Sequence, residues 1–186
     1  MAAMTMVVAA TAGCSSGPER SPAPYEVPEP SIEQPRSLPT ADILGVDRGD
    51  PVAVMVAMCT IVFTRDAATE NSYSASYLRA RDLMADPLAA DLTKAGQVSR
   101  AYPKWASWVS EKAWVDGECE PNEITSADGS NPNTDRKTIQ VLTVTETIQP
   151  AGNAEERTEQ EWTVFTTAEK TGDGNWQVTQ FDLDAT

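Results

Sequence analysis

Three cysteines carry most of the reactive chemistry in this chain, and their surroundings differ. Cys14 closes an uncharged opening, Met1 to Gly13, that holds Val7, Val8 and several alanines. That opening is too short to span a bilayer, but it fits the apolar part of a secretory signal ending in small residues. Cys59 and Cys119 lie far downstream. The sequence contains no histidine, so no imidazole can activate either thiol, and Ser-His-Asp catalysis is excluded. The commonest zinc ligand is missing as well.

Other residue types could in principle serve acid–base, metal or cofactor chemistry. Asp66, Tyr73, Tyr77 and Asp116 are groups that could act as a carboxylate base and an oxyanion-binding acid. Nothing in their spacing brings them into one pocket, and caps, loops and solvated positions account for them equally. Asn131 to Arg136, NPNTDR, alternates oxygen ligands as a calcium loop does. Arg136 stands where that loop needs glycine, so a polar loop is the reading. Gly172-x-Gly174 is a turn, since no helix follows it to receive a phosphate. Trp105, Trp108, Trp114, Trp162 and Trp176 read as packing residues, the alternative being a ligand-lined pocket. No enzyme activity, metal or cofactor is expected.

Charge limits the partners. With 28 acidic and 14 basic residues the formal net charge is -14. Such a surface repels nucleic acid and anionic headgroups. From Ser15 to Thr40 the chain carries seven prolines among serines and charges. That composition cannot bury apolar surface and predicts an extended tether. At about 3.1 Å per residue its reach is about 80 Å.

The run Thr11-Ala12-Gly13-Cys14 resembles the lipobox of bacterial lipoproteins, with Thr11 where that family favours leucine. The resemblance implies that Cys14 is acylated and becomes the mature N-terminus, anchoring the protein on the extracytoplasmic face of the cell membrane, the alternative being an ordinary signal peptide in which Cys14 is incidental. The expected layout is a signal peptide over 1–13, the lipidated cysteine and tether over 14–45, and a folded domain over 46–186. In an exported protein an even pair of thiols normally bridges. Cys59–Cys119 is therefore the expected disulfide, the alternative being two buried free thiols.

The folded part opens at Asp50-Pro51, an N-cap followed by proline at the first helical position. Val52, Met55, Val56, Cys59, Val62 and Phe63 then recur at helical spacing and predict an apolar stripe. Further helical pieces are expected near Ser74 to Met84 and from Asp86-Pro87 to Gly96. Beyond them the period changes to two. KAWVDGECE alternates, with Ala113, Val115, Gly117 and Cys119 on one side. Lys137 to Gln149 is a β-branched run in which the Val141-Leu142 pair predicts a bulge. EQEWTVFTTAEK and NWQVTQFDL are two more strands, joined by the hairpin signal at Thr171 to Asn175. The fold class is therefore α+β, with N-terminal helices packed on a curved antiparallel sheet of about four strands.

This element order, with FTRDAATENSYSASYLRARDLMADPLAADL, WASWV and NWQVTQFDL, resembles the nuclear-transport-factor-2-like cone of exported bacterial proteins, TcpC-type and VirB-type conjugation components among them. A cystatin-like domain is the nearest alternative. The resemblance implies a non-enzymatic envelope lipoprotein that docks other envelope proteins in a secretion or conjugation assembly. The competing reading is a domain that binds a small apolar ligand in the cone.

Overall fold

A computed structural model describes residues 36–94, 104–123, 131–152 and 155–184. Cys14, the signal and most of the tether lie outside these residues, as does the expected helix stop at Gly96.

Helix α2 (Pro51–Phe63) organises the domain. The Asp50 carboxylate accepts from the Val52 N–H at 2.9 Å, and Pro51 supplies a φ already suited to a helix. Burial extends well beyond the expected stripe. Val54, Met55, Ala57, Met58, Cys59, Ile61, Val62 and Phe63 are all buried, with Val52 and Val56 partly so. A helix apolar on every side is stable only when enclosed. Here the sheet covers one flank and the shorter helices cover others.

The sheet has five strands in the order β1-β2-β3-β4-β5, all antiparallel. They are β1 (Arg65–Asp66), β2 (Trp114–Pro121), β3 (Lys137–Gln149), β4 (Thr158–Lys170) and β5 (Trp176–Asp184). β1 is too short to show any alternation, which is why only four strands are legible in the sequence. The bulge expected at Val141-Leu142 does not form. β3 alternates without interruption, with Thr138, Gln140, Leu142, Val144, Glu146 and Ile148 buried, so Val141 faces the opposite side. The irregularity falls between Thr167 and Ala168, where β5 passes Thr179 without a partner. The turn from β4 to β5 forms as expected: Gly174 adopts φ 91°, and the Asp173 carboxylate accepts from Thr171 and Asn175. Those bonds, the Thr171 hydroxyl foremost, hold the Asp173 carboxyl below its usual range.

The shorter helices depart from expectation in detail. The piece near Ser74 to Met84 is α3 (Ala75–Arg79) followed by a separate 3-10 turn, Arg81–Leu83. α4 (Asp86–Leu92) includes Asp86 and takes Ala85 as its N-cap, without a side-chain cap bond. α5 (Trp105–Glu111) precedes β2 and was not expected as a helix. α1 (Ala41–Leu44), capped by the Thr40 hydroxyl, falls within the segment read as tether. Packing on the domain thus begins upstream of Gly45. Pro39 is buried, and its carbonyl accepts from Arg79 Nη1 at 2.9 Å. Arg36 Nη2 donates to Gln149 Oε1 at 2.8 Å. All the described helices precede the long strands, which is the order of the cone.

Among the described glycines, Gly117 leaves the least room for a side chain. A Cβ there would lie 2.5 Å from Phe63 Cβ and 2.7 Å from the Phe63 carbonyl carbon. The Gly117 N–H also donates to Thr64 Oγ1 at 3.2 Å, tying β2 to the end of α2. Backbone cannot yield as a side-chain tip can. Gly117→Ala should therefore cost about 1–3 kcal/mol or more through overpacking. Urea unfolding checks this, and an unchanged midpoint would mean that the helix end can move away from β2.

Candidate functional site: a sealed ion pair and two open clefts

Arg65 follows α2 on β1, and Glu146 occupies an inward position of β3. Arg65 Nη1 donates to Glu146 Oε1 at 2.7 Å, and both side chains are 0% exposed. Glu146 Oε2 accepts from Gln160 Nε2 at 2.6 Å and from Trp162 Nε1 at 2.8 Å, both from β4. The guanidinium carbon lies 4.1 Å from the centroid of Tyr73 and 5.5 Å from that of Phe63. Such stacking strengthens once water is excluded. Tyr73 contacts Tyr77 at 6.2 Å and Trp105 edge-on at 6.1 Å, and Trp105 meets Trp108 at 6.4 Å. Lys104 Nζ donates to Gln160 Oε1 at 3.2 Å, so polar contacts run from the pair to the start of α5.

Burial raises both phenols above their ordinary range, against the opposing pull of the Arg65 charge. They are neutral at physiological pH. A pair this enclosed cannot meet a solute from bulk water in the conformation described. It fixes the α2–β1 corner against the middle of the sheet, a role in specifying geometry more than in adding net stability.

Among the described residues, two clefts open to the surface. One, of about 670 Å³, lies beside α5, with Trp108, Ile148 and Pro150 as its apolar lining and Lys104, Glu111 and Arg157 around them. The other, of about 440 Å³, is polar and lies between Arg36, Trp114, Asp116, Gln149 and Arg157. Arg36 sits 5.6 Å over the Trp114 ring.

The acid–base candidates separate. Tyr73 and Tyr77 come together in the buried cluster. Asp66 caps its own turn, accepting from the Ala68 N–H at 2.9 Å and the Thr69 hydroxyl at 2.7 Å. Asp116 is exposed on the outer face of β2. The Asn131–Arg136 loop uses its oxygens on itself, Asn131 Oδ1 accepting from Asn133 and Asn133 Oδ1 from Ile139. Among the described residues no group of three or more His, Cys, Asp or Glu could hold a metal ion. Trp108 and Trp176 are buried, and Trp105 and Trp162 pack against the core. Cys59 on α2 and Cys119 on β2 are joined by a disulfide, with S–S 2.09 Å and Cα–Cα 6.1 Å. Among the described residues no helix is long and apolar enough to cross a membrane.

The ion pair is hard to read in the sequence because its members lie 81 residues apart. One signal is available. Glu146 occupies the inward parity of a strand whose neighbouring inward positions are Val144 and Ile148, so it has to be buried with a partner.

No protein-family model matches the chain, and no curated protein matches it. Solved structures resemble its fold. The VirB8 protein of Agrobacterium tumefaciens is 15% identical with a TM-score of 0.47, over 73% of this chain and 91% of that one. A periplasmic fragment of TraM is 12% identical with a TM-score of 0.44, over 75% and 98%. CagV, a VirB8 homolog from Helicobacter pylori, is 9% identical with a TM-score of 0.45, over 70% and 96%.

Proposed function

We propose that this protein is a non-enzymatic cell-envelope lipoprotein, held on the extracytoplasmic face of the membrane through an acylated Cys14. Its domain docks other envelope proteins, in an assembly of the secretion or conjugation kind that the sequence resemblance names. The observation that carries the docking reading is the filled interior. Met55, Met58, Val62 and Phe63 of α2 occupy the inner face of the sheet together with Val115, Leu142, Val144 and Val164, all at most 1% exposed. The Arg65–Glu146 pair in that layer is sealed from water. What remains available for recognition is the outer surface. The anchor reading is supported by the small residues before Cys14 and the proline-rich run after it. Two acyl chains hold a protein at a bilayer stably, whereas one does so only marginally.

Full-length protein made in a lipoprotein-processing bacterium should partition into the detergent phase, and Cys14→Ser should move it to the aqueous phase. Equal partitioning of both forms would sink the anchor. A second reading, binding of a small apolar molecule, is favoured by the cleft at Trp108, Ile148 and Pro150. Titration with a fluorescent fatty acid separates the two. Docking predicts no saturable uptake at one site per chain, and stoichiometric binding lost in Ile148→Arg would favour the ligand.

A further inference from the structure

We infer that the docking surface is the outer face of the sheet, and that its partner presents a cationic extended segment with an apolar side chain at its centre. This rests on the docking reading above. The register places the outward residues in rows across β2, β3 and β4. Asp116, Thr147 and Glu159 form one row, and Glu118, Thr145 and Glu161 the next. Glu120 then lies beside Thr143, and Phe165 lies between Val141 and Asp182. A central column of threonines is thus flanked on both sides by columns of exposed carboxylates.

Among the described residues, none of Asp116, Glu118, Glu120, Glu159, Glu161 and Asp182 makes an ion pair. The cations at the face stand toward its two ends, Arg36 over Trp114 with Arg157 lining the same cleft as Asp116, and Lys137 opposite Glu169. Carboxylates two strands apart are separated by about 10 Å, roughly one Debye length at ~0.1 M salt, so their fields add. Solubility would be served as well by interspersed signs. Within this field Phe165 exposes 44% of its surface on an interior strand, against the half-buried Val141. An exposed aromatic residue beside Asp182 and next to the rows of outward carboxylates is complementary to a basic segment carrying an apolar anchor. The threonine hydroxyls supply further donors and acceptors between the charges.

The test uses the full chain in neutral detergent and, as probe, a synthetic ten-residue peptide alternating lysine and leucine, followed by calorimetric titration. Glu118→Lys with Glu161→Lys should weaken binding at least about tenfold, and Phe165→Ala by about tenfold. Asp86→Lys with Glu155→Lys, an equal charge change off this face, should alter it by less than about threefold. Equal weakening by both charge reversals, or no effect of Phe165→Ala, would overturn the assignment. Photo-crosslinking in intact cells separates the two levels of the argument. Crosslinks that survive reversal of the face leave docking intact and this surface refuted. Their absence from every form removes the docking reading itself.

Discussion

Glu146→Gln should destabilise the domain by about 3–5 kcal/mol, because it leaves the Arg65 guanidinium buried beside a group that no longer carries charge. Arg65→Met should do comparable damage, stranding the carboxylate beneath Trp162 and Gln160. For a domain near 150 residues each kcal/mol moves Tm by about 2–4 °C, so the shifts are large enough to read by heat as well as by urea. The informative measurement is the double variant Arg65→Met with Glu146→Leu. Neither charge is then left without a partner, and much of the single-variant loss should return. Recovery should be incomplete, because the half-buried Gln160 and Trp162 lose the carboxylate that accepts from them, and a typical hydrogen bond contributes about 0.5–1.5 kcal/mol. A double variant as unstable as the sum of the singles would show that the two charges act independently. Should the singles fail to fold, a folded double variant alone establishes the coupling.

The contrast between what the sequence discloses and what it hides comes from the range of each interaction. β3 is legible end to end because its β-branched residues and period of two are local facts, and its observed limits, Lys137–Gln149, are those read from the sequence. α2 is legible because cap, proline and apolar spacing all lie within one segment. α5 is hidden because it is only seven residues long and rich in aromatic residues, which are poor helix formers. α1 is four residues long and sits in composition that resembles a tether. The Arg65–Glu146 pair is hidden for a different reason. Arg65 alone resembles an ordinary surface charge, and although the parity of β3 marks Glu146 for burial, only the register of β3 and the exit of α2 bring the two together. The outer-face carboxylate columns share that origin, since alternate acids on β2 and on β4 align only once β3 lies between them.

The bridge between Cys59 and Cys119 should rival the ion pair in effect, by a different route. It spans a sequence separation of 60 residues, and in the chain-entropy model a loop of that length is worth about 4 kcal/mol. That contribution comes chiefly from restricting the unfolded chain, so reduction should raise the denaturant m-value as well as lower the midpoint, because the unlinked chain exposes more surface. The folded state should survive reduction, for α2 remains enclosed by Val115, Leu142, Val144 and Val164 whether or not the sulfurs are joined. Cys59→Ala with Cys119→Ala should reproduce the midpoint of the reduced protein, less a small packing loss. Thiol titration of the exported protein, unfolded but unreduced, supplies the direct check. No free thiol should appear from either residue. If both react, the sulfurs are only neighbours, and the α2–β2 contact then rests on packing around Phe63, Val115 and Gly117 and on the Gly117 N–H to Thr64 bond.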